Sequence, residues 1–150
     1  MLLEKIANWL ESRGRSKIIH RDHGTKRLVY LKRFYLIRTK WLAVFIHQFF
    51  DSDEEIGPHC HPWNNMSFVR RVGYFEHLAD GQKVWRPPGF WCFRMAEQFH
   101  RVQLQPGTEG KVWTIFVRFR RRRKWGFLLD CKWVDASVVD PGVNNMRENN

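Results

Sequence analysis

Three of the seven histidines fall where an imidazole cluster can form. His59 and His61 flank Cys60, and in an extended strand residues i and i+2 project to one face, so both rings can address one ion while Cys60 points away and is not counted as a ligand. His100 heads another apolar run after a turn-bounded segment, where an antiparallel neighbour would bring it alongside the pair. Three nitrogen donors suit a divalent transition metal, with Fe, Zn, Ni, Mn and Cu all open on ligand chemistry. Taken alone, the His-x-His pair reads equally well as half-buried hydrogen-bonding residues.

The surroundings of these histidines are more specific. His59-Cys60-His61-Pro62-Trp63-Asn64, followed by Ser67-Phe68-Val69-Arg70-Arg71-Val72-Gly73, resembles the first signature of the cupin superfamily, in which His-x-His precedes a strand and a glycine turn. Pro88-Gly89-Phe90-Trp91-Cys92-Phe93, then Met95 to Val102, resembles the second, in which a His leads the strand after a bend. The resemblance implies a double-stranded β-helix, or jelly-roll barrel, with a metal inside its mouth held by His59, His61 and His100. One position departs from the pattern: where cupins commonly carry a ligating glutamate four or five residues after the second histidine, this chain has Asn65 and Met66. Asn64 or Asn65 offers a neutral carbonyl instead, and Glu76, beyond the glycine turn, is expected to face elsewhere. The three-histidine set is similar to the cysteine dioxygenase branch, which implies Fe(II) with open positions, suited to an anionic ligand together with dioxygen.

Other residues are candidates for holding a substrate. Trp63 can roof the pocket, Asn64 can offer its amide, Tyr30 or Tyr35 can donate to bound oxygen, and Arg33 and Arg38 can grip a carboxylate bidentately. Each has an ordinary reading as core packing or as an edge charge, and His47 reads first as a core histidine. The densest charge block is Arg118-Phe119-Arg120-Arg121-Arg122-Arg123-Lys124. Its functional reading is a phosphate-contacting face for nucleic acid. The alternative is a solvated edge on which Arg118 and Arg120 lie outside and Phe119 lies in the core, because a strand alternates its faces.

The elements that must position these residues are short. Leu2, Ile6, Trp9 and Leu10 recur at helical spacing, and Gly14 stops that segment. Arg13 to Arg27 reads as a linker or exposed loop. Strands are expected near Leu28 to Ile37, Leu42 to Phe50, Met66 to Val72, Tyr74 to Leu78, Lys83 to Trp85, Phe90 to Phe93, Arg101 to Leu104 and Val112 to Phe119, separated by Gly and Pro turns. The fold class is all-β, a cupin-type jelly roll with a short N-terminal helix. It divides into a helix and basic loop (1–26), the barrel (27–135) and an Asn-rich tail (136–150).

Composition bounds the rest. The chain has 150 residues, 43% hydrophobic and 15% aromatic, with 8 Trp and 12 Phe, which excludes a disordered chain and is read as barrel filling. Three scattered cysteines exclude a thiolate zinc site or a disulfide framework, so a reduced, cytoplasmic setting is expected. No apolar stretch suits a membrane span or secretory signal. A charge of +11 invites polyanions. The leading reading is a metal-dependent dioxygenase-like enzyme acting on a small anionic substrate. The alternatives are a barrel that binds nucleic acid or protein through its basic run, or a non-redox isomerase or epimerase; a homodimer is compatible with all three.

Overall fold

The computed structural model describes residues 2–23, 26–53 and 56–139. Helix α1 (Leu2–Ser12) opens the chain. Gly14, at φ 66°, ends it, with Gly14 N donating to Glu11 O at 2.9 Å and Arg15 N to Leu10 O at 2.8 Å. This is the Schellman closure, whose left-handed position glycine takes without a Cβ penalty. The buried stripe runs through Ala7 and Leu10 with Leu3 and Ile6 beside them, whereas Leu2 and Trp9 are exposed. The helix is thus turned about its axis from the apolar set expected.

Strands follow in the order β1 (Ser16–His23), β2 (Lys26–Arg38), β3 (Ala43–Phe49), β4 (Trp63–Arg71), β5 (Tyr74–Leu78) and β6 (Lys83–Arg86). Then come β7 (Trp91–Arg94), β8 (His100–Gln103), β9 (Val112–Arg121), β10 (Gly126–Leu129), β11 (Lys132–Asp135) and a helical turn, α2 (Ala136–Val139). One sheet has the order β1-β2-β3-β9-β4-β7, a second β6-β5-β8, and β10 pairs with β11. His59 bridges both His100 on β8 and Phe127 on β10, and so joins the β10–β11 hairpin to the second sheet. Antiparallel sheets facing one another in this way form the cupin-like barrel. Among the described residues no helix is long and apolar enough to cross a membrane.

Each strand alternates its two faces. On β3 and β9, Phe45, His47, Phe49, Thr114 and Phe116 look into the barrel, while Ile46 and Trp113 join Phe34 under α1. Phe34 and Trp113 stack with ring centres 6.1 Å apart. The aromatic load is not all filling, however: Trp91 is 65% exposed and Phe93 49%, both on the outer side of β7.

Two expectations change. The expected loop at Arg13 to Arg27 contains β1, paired along its length with β2. Lys17 is exposed on this edge strand, where a charge discourages further pairing, whereas Arg21 turns inward to Asp53. Hairpin β10–β11 lies where no strand is expected, because its turn, Asp130-Cys131 at φ 47° and 61°, lacks the Asn-Gly or Asp-Gly signal that this left-handed pair usually carries. The beginning of the expected tail is α2, with Ala136 buried against Phe127; residues 140–150 lie outside the described residues.

Because Leu10 is 1% exposed and seals the outer face of the first sheet, Leu10→Ala should lower the unfolding free energy by about 2–5 kcal/mol, measured by urea denaturation.

Candidate metal centre

His59 and His61 arrive on a segment without a strand of its own, fixed by backbone pairing. His59 N donates to His100 O at 2.8 Å, His100 N to His59 O at 3.0 Å, and Cys60 N to Gly126 O at 2.9 Å. The three imidazoles converge on the inner wall with ring centres 5.1 Å apart pairwise. One ring nitrogen from each lies within 4.8 Å of the others. His61 Nε2 and His100 Nε2 are 2.9 Å apart. Two nitrogens at about 2.0–2.1 Å from one ion and at right angles would be separated by about that distance, so the pair fits a shared cation.

Buried carboxylates stand behind two of the rings. Glu76, expected to face elsewhere, is fully buried, with Oε1 2.8 Å from His100 Nδ1. It also accepts from Arg86 Nε at 2.6 Å and from Arg94. Position 76 on β5 points inward because β5 pairs with β8 in a register that sets Glu76 opposite Val102. Burial pushes its carboxyl up, but His100, Arg94 and Arg86 outweigh this and hold it at about 2. Behind His59, Asp53 Oδ2 lies 3.8 Å from Nδ1. Asp53 accepts from the Tyr30 hydroxyl and from Val102 N at 2.6 Å, and faces Arg21 at 3.6 Å. Burial works against its ionisation, yet His59, Arg21 and these hydrogen bonds keep it below the ordinary carboxylate range. A carboxylate on Nδ1 holds that nitrogen as the donor and leaves Nε2 to face an ion. Burial, reinforced by neighbouring cations, holds His59 down at about 4 and His61 well below 6.5, so both rings are neutral and fit to ligate at neutral pH.

The cavity in front of the histidines has a volume of about 1350 Å³. Trp63, Arg33 and Arg38 line it. Arg33 Nε donates to His47 Nε2 at 3.0 Å and its guanidinium sits 4.9 Å from the Phe45 ring. His47 is therefore an acceptor; burial and Arg33 keep it neutral. Tyr35 is not a lining residue: it packs edge-on against Phe45 and under Arg38. Asn64 turns outward and its Oδ1 accepts from Ala96 N at 2.9 Å. Asn65 is buried beside Trp63 O and does not line the cavity either. The Tyr30 hydroxyl is taken by Asp53.

The basic run is also placed differently from its expected outer face. Arg118, Arg120, Arg121 and Lys124 line the cavity, while Phe119 is outside, against Phe93. Thr114 and Phe116 already occupy the inner face of β9, and alternation carries Arg118 and Arg120 onto that face. Arg122 and Arg123 are not lining residues. Sequence reasoning missed Arg94, which is buried, lines the cavity and contacts Glu76. It also missed Asp53 and Arg21. Inward alternation on β7 would have found Arg94, whereas only the pairing of strands distant in sequence reveals the other two.

Two outcomes are expected. Glu76→Gln should weaken metal binding by about 10–100-fold, measured by competition with a chromophoric chelator. In the metal-free protein His47 and His59 are buried with depressed pKa values, so the unfolded chain binds their protons more readily. Stability from this source is complete above 6.5 and is lost as pH falls through about 4 for His59. Glu76 extends the loss from 4.5 down to about 2. Urea midpoints recorded across this range should be level near neutrality and decline continuously on acidification.

No protein-family model matches the chain, and no curated protein matches it by sequence. Solved structures do match in fold. The polyketide cyclase RemF from Streptomyces resistomycificus aligns at 16% identity and TM-score 0.58, over 88% of this chain and 89% of that one. FeII HppE aligns at 18% and 0.55, over 71% of this chain and 57% of that one. Hydroxypropylphosphonic acid epoxidase from S. wedmorenis aligns at 22% and 0.51, over 61% and 52%. The matched region thus spans just over half the length of each of these last two chains. The likeness is one of fold: a cupin-like barrel, on whose inner wall His59, His61 and His100 converge.

Proposed function

We propose that this protein is a metal-dependent enzyme of the dioxygenase kind, with His59, His61 and His100 holding one Fe(II) ion and an anionic substrate admitted through the arginine-lined mouth. The observation that carries the reading is the convergence of three imidazoles, two of them backed by buried carboxylates, on the wall of a large cationic cavity. When bound, such an ion supplies Lewis acidity and a redox-active centre with positions left for exogenous ligands.

The chain's own groups do the positioning. Glu76 fixes the His100 ring, and Asp53 lies behind His59. Arg94, buried beside the histidines, and Arg33, clamped by His47 and Phe45, are the cations nearest the inner wall that can orient a carboxylate or thiolate. Phe116, Trp63 and Trp125 supply the apolar wall that keeps water from the reacting atoms. Neither Asn64 nor Asn65 reaches the cavity, so the donor set is three imidazoles with no carboxylate among them, and a bound ion would keep its charge, which favours anionic ligands.

Protein purified without chelators should carry about one equivalent of a divalent transition metal, and His100→Ala should reduce it below about a tenth. Reconstitution with Fe(II) should give substrate-dependent oxygen uptake at an oxygen electrode when small thiols and other small anions are screened. Metal retention without any oxygen uptake would move the reading to non-redox isomerase or epimerase chemistry, and absence of bound metal would remove it.

A further inference from the structure

The turn of the basic run into the barrel says more about the substrate than a general preference for anions. Arg38 on β2, Ala43 on β3 and Arg118 on β9 occupy one row across the sheet. Together with Lys40, Arg120, Arg121 and Lys124, these two arginines form a cationic mouth. The guanidinium groups are held on aromatic rings: Arg38 is 5.3 Å from the centre of Tyr35, Arg118 5.2 Å from Trp63, and Arg120 4.8 Å from Trp41. A guanidinium laid on a ring has less freedom to lose when it meets an oxyanion. Asp135, which also lines this cavity, faces Lys124 at 3.6 Å and accepts from Ser137. Like charges gathered in a concave wall repel one another and focus a positive potential that an anion relieves. Ligand pockets commonly have about 300–1,000 Å³. This cavity, at about 1350 Å³, leaves room between the histidines and the mouth for a substrate longer than one that only covers the metal.

We infer that the mouth is a second anion subsite, which takes a doubly charged oxyanion, a phosphate or phosphonate group, on the end of the substrate remote from the histidines. A substrate bound in this way has its reacting end at His59, His61 and His100 and its charged end between Arg38, Arg118 and Arg120. The inference rests on the metal-enzyme reading only in calling the ligand a substrate; anion binding at the mouth does not need the ion.

The probes are phenyl phosphate and benzoate, one ring with two charges or one, titrated calorimetrically into the full chain with and without metal. Saturable one-to-one binding of phenyl phosphate is expected in both forms, with benzoate about 10-fold weaker or worse. Arg118→Ala/Arg120→Ala should weaken phenyl phosphate by about 10-fold or more, and the exposed Arg120→Ala alone by several-fold, which keeps the test open if the double variant does not fold. Arg122→Ala/Arg123→Ala removes the same charge from side chains that do not line the cavity and should change affinity by less than about 2-fold. Equal losses in the two double variants would overturn the subsite in favour of a diffuse surface field of the kind that suits nucleic acid. Equal affinity for benzoate, or binding confined to the metal-loaded form, would overturn it as well. Failure of metal binding, in contrast, leaves the metal-free titration to decide.

Discussion

Two backbone hydrogen bonds, between His59 and His100 in each direction, hold a segment with no strand of its own inside the second sheet. The candidate site depends on them. They place the ring of His100 beside that of His59, alternation puts His61 on the same face, and the further bridge to Phe127 attaches hairpin β10–β11 to the wall. A pair of buried peptide groups satisfied in this way also avoids the cost that an irregular segment would otherwise incur in a barrel interior. Rigid placement matters because three side chains from two separate segments must meet within a few ångströms.

The carboxylates behind the rings settle a question of charge. A glutamate on the ion would have lowered its charge; here Glu76 lies one imidazole further out and is itself matched by Arg86 and Arg94. Asp53 is matched by Arg21 in the same manner. Glu76 orients the His100 ring, Asp53 acts on His59 through charge at 3.8 Å, and most of each acid's charge is cancelled nearby. The pairing offsets the desolvation cost of these ionised carboxylates, and the interior still presents a positive face to a ligand.

Much of this was legible in the sequence, for reasons that can be stated residue by residue. The histidines were found because period-2 geometry puts His59 and His61 together and because two signatures frame them in the right order. Strands such as Tyr74–Leu78 were found because β-branched and aromatic runs bounded by Gly and Pro are local signals. What escaped were properties of pairing between distant segments. The inward aim of Glu76 follows from its register opposite Val102, and strand β1 was hidden by its polar and charged residues, of which Arg21 turns inward to Asp53. The turn of hairpin β10–β11 uses Asp130-Cys131, whose left-handed backbone no residue type there announces. The facing of the basic run was misjudged by assigning Phe119 to the core, although Phe116 had already fixed the inward parity of β9.

That parity changes the meaning of the net charge. A surface of dispersed lysines and arginines attracts any polyanion, and its effect fades within a Debye length of about 8 Å at physiological salt. The same cations on the wall of a concavity act at short range on whatever enters, with low-dielectric walls on either side to sharpen the field. Arg118 and Arg120 belong to this second situation, as do Arg33 and Arg94 further in. The sequence's most conspicuous compositional feature and its most conspicuous motif thus meet in one cavity, where a donor set without a carboxylate would leave a bound cation's charge uncancelled and the surrounding arginines would add to it. On the proposed reading the consequence is selection by charge along the whole path of entry: an anion would be favoured at the mouth, along the wall and at the histidines, and a neutral or cationic molecule of the same shape at none of them.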